Sequence, residues 1–351
     1  MRNAIPLLAT VTFISFSALL SAVTMVQPPN DKRVMARELL GQNNFQQALQ
    51  LYRELLDQDS GTPQSGEDLQ QAVQCLVNLG LLSEADTLVE GAVSRHAENF
   101  HVLLAAANAY SALEDGGFVI AGKFQRGAHR GGGQWASVEA RDRVRSLQLL
   151  LQALQLAKAQ GNVAAEQTAA VWFQISELIG AVRFGEAWKL QELTNLENLP
   201  DFELGNRWNY GFRGWGPQPR NGAPVDAEGN PIFHRLPDAW TTATSDGERW
   251  RFAMDQVSQF DPKRRSEIDL LWAAFLQSQF GTATADSSPP VVVVSQSPET
   301  ATTGTAPPAA SGAWAVRQLT DAETIARLAN GVRRFSLPDE FNFLRILNAV
   351  A

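Results

Sequence analysis

The sequence predicts an all-α protein, built as an α-solenoid of paired amphipathic helices. Apolar residues recur three and four positions apart over most of the chain, which is the spacing of a helix with one buried face. One helix-turn-helix pattern also occurs twice in succession, which is typical of repeat architectures. The equivalent residues of its two copies are Leu39 and Leu76, Leu40 and Val77, Phe45 and Leu82, and Ala48 and Ala85. In each hairpin the small alanine lets two helices approach closely.

Further helices are expected along the chain. A third copy of the pattern has Phe184 and Ala187, and it follows a helix predicted over 165–178. Another apolar stripe predicts a helix over 144–154, and Ser245 with Glu248 forms a capping box that opens a helix. The final amphipathic stripe of this region extends over 268–279.

Composition divides the chain into four parts. They are a leader over 1–30, a helical repeat domain over 31–280, a disordered Pro/Ser/Thr linker over 281–312 and a C-terminal helical segment over 313–351. Two long loops are predicted within the repeat domain, a glycine-rich basic loop over 116–133 and an aromatic, Pro- and Gly-rich loop over 199–237. In the C-terminal segment, Thr320 and Glu323 resemble a capping box, which predicts a helix through Val332.

The first thirty residues predict export. Arg2 precedes a stretch from Ala4 to Asn30 without a charged residue, which is typical of a signal peptide or of an uncleaved membrane anchor. Both alternatives place the chain from Asp31 onward in the periplasm or cell envelope. A buried hydrophobic N-terminal helix is the remaining alternative.

Composition also limits the chemistry. With 29 Lys and Arg against 37 Asp and Glu, the net charge of −8 disfavours nucleic acid as a partner. The single Cys75 excludes an internal disulfide and a multi-cysteine metal site, and its neighbours predict a small buried hydrophobe. Four histidines show no pair at metal-ligand spacing, and no nucleotide-binding or nucleophile motif occurs. We therefore expect no catalytic residue, metal or cofactor.

The glycine-rich loop holds the first candidate binding residues, Lys123, Arg126, His129 and Arg130. Glycines there could present backbone amides to an anion that these cations would neutralise. The alternative, which we favour, is that the cations pair with acidic residues of nearby helices.

Three other groups of residues invite a functional interpretation. Asp226, Glu228 and Asn230 alternate like the start of a calcium loop, but Pro231 takes the place of the required glycine, which favours a polar turn. Asp201 and Glu203 could act as a catalytic carboxylate pair. An aromatic cluster could stack on the sugars of an envelope glycan, or pin its long loop against the helices. Its members are Trp208, Tyr210, Phe212 and Trp215.

Several strings of sequence resemble those of known families. The helical hairpins are similar to degenerate tetratricopeptide repeats. The longer strings resemble the N-terminal region of large bacterial alpha-2-macroglobulin-like proteins of the planctomycete type, over nearly the whole chain after the leader. They are GKFQRGAHRGGG (122–133), ARDRVR (140–145), DGERWR (246–251), ETIAR (323–327) and LPDEFNF (337–343).

The second resemblance implies an exported protein whose later domains form a protease-trapping cage, sometimes with a reactive thioester. Cys75 is followed by Leu-Val-Asn, so it cannot supply that thioester. The resemblance therefore implies a noncatalytic scaffold, with a protein partner or downstream macroglobulin domains bound to it. The alternative function is an envelope glycan-binding module.

Overall fold

A computed structural model describes residues 29–58, 62–180, 184–205, 222–281 and 319–351 of the chain. The predicted leader, the aromatic cluster of Trp208 to Trp215 and the linker over 282–312 lie outside these residues, and those predictions remain as stated above. The described chain is mostly helical, as the apolar spacing predicts.

Five helices form the N-terminal part of the core, and each contacts the next along the chain. They are α1 (Pro29–Gly41), α2 (Phe45–Asp57), α3 (Gln64–Leu79), α4 (Ala85–Arg95) and α5 (Phe100–Ala112). Gly80 ends α3 in the left-handed conformation with φ of 68°, which a glycine adopts without steric cost. Asn99 caps α5 by accepting hydrogen bonds from the amides of His101 and Val102.

The alanines predicted to lie at the helix contacts are buried. Ala48 and Ala85 are fully inaccessible and Ala187 nearly so, while Phe45 and Leu82 are partly buried against the core. Cys75 is buried too, as its apolar neighbours predict, and burial raises the pKa of its thiol.

The second group of helices continues the same core. It consists of α6 (Glu139–Gln160), α7 (Ala165–Gly180), a 3-10 helix (Phe184–Gln191), α8 (Asp246–Phe260), α9 (Arg265–Phe280) and α10 (Phe343–Val350). Helix α7 packs on α6 and most extensively on α8, and α10 packs on α9. The contact of α7 with α8 is so close at Gly180 that an added Cβ would lie 2.5 Å from the indole nitrogen of Trp250. Ser245 caps α8 by accepting from the amide of Glu248, as its sequence predicts.

Two small sheets correct the all-α prediction. The first contains β1 (Gly116–Ile120), β2 (Lys123–Arg126), β3 (Gln134–Ser137) and β4 (Glu203–Leu204) in the antiparallel order β2-β1-β3-β4. The predicted glycine-rich loop is therefore largely a β-hairpin. Its turn residues Ala121 and Gly122 have φ of 49° and 78°, which is the conformation that joins strands in a two-residue hairpin.

The second sheet corrects the predicted C-terminal helix. Residues 323–336 form the hairpin of β5 (Glu323–Leu328) and β6 (Gly331–Ser336), in which alternate residues of β5 are buried. Thr320 does donate its amide and hydroxyl to the Glu323 carboxylate, but this contact closes a turn before a strand. Of the helical segment predicted over 313–351, α10 is the part that the structure shows as an α-helix.

Candidate functional site

The four cations of the glycine-rich segment do not form one site. Lys123 begins β2 beside the exposed turn, and Arg130 is exposed in the glycine-rich connection to β3. His129 is half-buried, with its ring 6.0 Å from that of Phe118. Arg126 instead points into the protein, and its side chain is 1% exposed.

Arg126 joins the small sheet to two helices. Its Nη1 lies 2.7 Å from Asp142 of α6 and also donates to the carbonyl of Glu114 at 2.7 Å. Its Nη2 lies 2.7 Å from Asp86 of α4, and Arg141 donates to both of these carboxylates. We name these four residues, Arg126, Asp86, Asp142 and Arg141, the Arg126 cluster.

The two arginines of this cluster stay charged at physiological pH. Burial opposes the charge on Arg126, but hydrogen bonds and attraction from Asp142 and Asp86 outweigh it and leave the pKa of the guanidinium raised. The same balance raises the pKa of Arg141. Arg126 is therefore unavailable to a free anion. It pairs with acidic residues of nearby helices, which is the alternative favoured from the sequence.

A second buried charge holds α8 to α6 and to the chain after the 3-10 helix. The carboxylate of Asp246 accepts from Arg143 at 3.2 Å, from the amide of Thr194 at 3.0 Å and from the Thr194 hydroxyl. Arg249 approaches the same carboxylate at 3.5 Å and donates to the carbonyl of Thr194 at 2.7 Å. We name Asp246, Arg143, Arg249 and Thr194 the Asp246 cluster.

The segment that resembles a calcium loop is a closed polar turn. The Asp226 carboxylate accepts from the amide of Asn230 at 2.7 Å and from its side chain at 3.3 Å. The carbonyl of Gly229 accepts from Asn330 and, at 2.8 Å, from Arg333. A guanidinium beside the turn opposes a divalent cation there, so the geometry agrees with the polar-turn interpretation. Among the described residues, no group of three or more His, Cys, Asp or Glu is arranged to hold a metal.

The proposed carboxylate pair lies on the surface. Asp201 is exposed and accepts from the amide of Phe202, while Glu203 begins the edge strand β4 and is also exposed. Both carboxylates are open to solvent, whereas the carboxylates of a catalytic pair normally lie in a cleft. The aromatic cluster of Trp208, Tyr210, Phe212 and Trp215 lies outside the described residues.

Sequence reasoning missed a cleft of about 530 Å³ beside the second sheet. The 3-10 helix supplies Trp188 and Gln191 to it, and the β5–β6 hairpin supplies Arg327. Chain 222–225 forms a third side, because Ala223 pairs in parallel with Leu328. No local motif marks these residues, since the three walls come from separate parts of the chain, around 188–191, 222–225 and 327–332. The one signal in the sequence is that Trp188 stands among polar and charged residues, Glu186, Lys189 and Gln191.

Two further findings bear on the functional class. No helix in the described part of the chain is long and apolar enough to cross a membrane. Compared with known proteins, the chain shows no match to a family model, to a curated protein or to a solved structure. Its function is therefore inferred from its own residues and geometry.

Proposed function

We propose that this protein is a noncatalytic, exported helical scaffold that binds another protein. The observation that carries the proposal is the way in which two clusters of buried charged side chains are used. In the Arg126 and Asp246 clusters, these side chains hold helices, sheet and connecting chain together. Ion pairs of this kind fix an arrangement of surfaces, which a scaffold requires, and leave those charges unavailable for proton transfer.

We further propose that α1 to α5 are a degenerate tetratricopeptide-type array, the beginning of an α-solenoid. The complete burial of Ala48 and Ala85 at equivalent positions supports this, as does the contact of each helix with the next. The first sheet is then an insertion that follows the array.

The context we propose is the N-terminal part of an alpha-2-macroglobulin-like protease inhibitor. The strings that carry this resemblance contain Arg126, Arg141, Asp142, Arg143, Asp246 and Arg249. All six belong to the two buried clusters. The resemblance therefore includes residues whose ion pairs and hydrogen bonds hold this fold together. Downstream macroglobulin domains or another envelope protein would be the partner, and the N-terminal segment would be the sole contact with the membrane.

The test uses residues 31–351, expressed without the leader and incubated with a trypsin-like and an elastase-like protease. A protease trap blocks cleavage of a large protein substrate and spares a small peptide. We expect both protease activities to persist, because a scaffold cannot enclose its attacker. Selective loss of activity on the large substrate would refute the scaffold proposal.

A second measurement tests the tethering role. Separately expressed macroglobulin domains from the same envelope should bind residues 31–351 with a one-to-one stoichiometry in a calorimeter. An absence of binding heat would remove the macroglobulin context but would leave the noncatalytic scaffold intact. The alternative glycan function of the Trp208 to Trp215 loop remains a prediction.

A further inference from the structure

Backbone pairing fixes one wall of the cleft beside the second sheet, and the Asp246 cluster fixes the opposite wall. An added Cβ at Gly222 would lie 2.2 Å from the backbone of Leu328, so chain 222–225 can pair with β5 this closely only because Gly222 lacks a side chain. Ala223 donates its amide to the carbonyl of Arg327 at 2.9 Å, and Ala329 donates to Ala223 at 2.8 Å. On the opposite side, Thr194 anchors the end of the 3-10 helix segment in the Asp246 cluster.

Trp188 presents an unusually large apolar surface on this wall. The residue is 48% exposed, although tryptophan is normally highly buried. The face of an indole ring carries a partial negative charge, and the Nζ of Lys189 lies 5.9 Å from the centre of the Trp188 ring. The weakly positive C–H groups on one face of a pyranose ring match the same surface. The other polar side chain at this wall, Gln191, can donate to and accept from hydroxyl groups.

Arg327 gives the cleft its one charged lining residue. Its neighbours on the hairpin are engaged, since Arg334 pairs with Glu323 at 2.8 Å and Arg333 donates to Gly229. Among the described residues, Arg327 has no ion pair, and its buried Nη2 has no hydrogen-bond partner. Because Nη2 is inaccessible, a carboxylate in the cleft would have to accept from the accessible part of this half-buried guanidinium, which has no acidic partner among the described residues.

We propose that this cleft binds a sugar unit carrying a single carboxylate, within an otherwise neutral glycan. The ring would stack on Trp188, the carboxylate would accept from Arg327 and the hydroxyls would bond Gln191. A polyanion is disfavoured because the whole chain carries a net charge of −8 and repels it. A single carboxylate within a few ångströms of Arg327 is attracted mainly by that nearby cation, because more distant charges are screened. This site goes beyond the scaffold function and is distinct from the aromatic loop considered from the sequence.

The probe is a trisaccharide with one terminal glucuronate, compared with the trisaccharide that carries glucose in its place. Saturation-transfer NMR and calorimetry at physiological salt should detect the acidic sugar and show it bound about tenfold more tightly than the neutral one. Arg327→Gln should abolish this preference and leave the weak neutral binding unchanged. Trp188→Ala should weaken both sugars together, because stacking does not depend on charge.

Lys123→Gln is the matched control, because it removes an exposed cation from the other sheet. Arg327→Lys adds a second check and should restore part of the preference. The proposal fails if the acidic trisaccharide shows no saturation transfer at millimolar concentration, or if Arg327→Gln leaves the preference intact. It also fails if an N-acetylated peptide with one glutamate binds more tightly than the acidic sugar. None of these outcomes affects the protease and partner measurements above.

Discussion

Replacing Arg126 tests the main energetic claim, that a buried ion pair joins the first sheet to the helices. Arg126→Met keeps the apolar bulk but removes five hydrogen bonds, two to Asp86, two to Asp142 and one to the carbonyl of Glu114. The Asp142 side chain is only 4% exposed, so its carboxylate would stay buried with Arg141 as its remaining partner. Breaking a buried pair costs roughly 3 to 5 kcal/mol, and because Arg141 remains we expect about 3 kcal/mol.

Urea unfolding followed by circular dichroism measures this loss, which should lower the midpoint by about 1 M. The matched control Lys123→Met changes an exposed cation of the same strand and should stay within about 0.5 kcal/mol. The double variant Arg126→Met with Asp142→Leu should be more stable than Arg126→Met alone, because it also removes the buried carboxylate that has lost one of its two arginine partners. Equal midpoints for Arg126→Met and Lys123→Met would show that the cluster does not stabilise the fold.

Three other substitutions have outcomes that follow from the structure. Ala121→Asn should raise stability by about 0.5 to 1 kcal/mol, because φ at this turn residue is 49° and asparagine tolerates that conformation better than alanine. Ala48→Trp should cost roughly 1 to 3 kcal/mol or more, because Ala48 is completely buried between helices. His234→Gln should make the stability of the protein less sensitive to acid. Burial lowers the pKa of His234 from 6.5 to about 4, so between these values the unfolded chain binds a proton that the folded chain excludes. Stability should therefore decrease by about 3 kcal/mol as the pH falls from 6.5 to 4 in the original protein relative to the variant.

The first two substitutions have a control variant measured in the same urea titration, and His234→Gln is compared with the original protein as the pH is lowered. Ala128→Asn and Ala112→Trp place the same side chains at exposed positions and should change stability by less than about 0.5 kcal/mol. An unchanged midpoint for Ala121→Asn would contradict the turn argument, and a tolerated tryptophan at Ala48 would contradict the repeat. If the original protein and His234→Gln lose stability in parallel below pH 6.5, carboxylates rather than His234 account for the acid sensitivity.

The helices were predictable because their signal is summed over many residues. A helix such as α6 repeats its apolar stripe over 22 residues, and one misplaced residue does not change the period. The burial of Cys75 and of the hairpin alanines followed from the same spacing.

The strands were missed because short apolar runs are ambiguous. Ile325, Leu328 and Val332 fit one face of a helix by spacing, and Thr320 with Glu323 resembled its cap. The structure instead buries alternate residues, Thr324, Ala326 and Leu328. The informative signal was Asn330-Gly331 in the middle of the run, because this dipeptide favours a hairpin turn and opposes a helix.

The candidate sites were less predictable than the helices because they are assembled by long-range contacts. Arg126 is 40 positions from Asp86 and 16 from Asp142, so a window of local sequence shows a basic loop and no partner. Trp188 and Arg327 likewise carry no pattern that relates them. A prediction could state that the cations would pair with acidic helices, but only the fold decides that Arg126 does so while Lys123 and Arg130 stay exposed.

The Asp246 cluster and the cleft are structurally connected. Thr194 lies three residues after Gln191, so the Asp246 cluster fixes the 3-10 helix segment that carries Trp188. The opposite wall depends on Ala223 and β5, whose inner face is buried against the core. The distance between Trp188 and Arg327 is therefore set by packing and ion pairs that neither residue makes. Buried charges can in this way hold a surface cleft in one shape, which would lower the ordering cost of binding there.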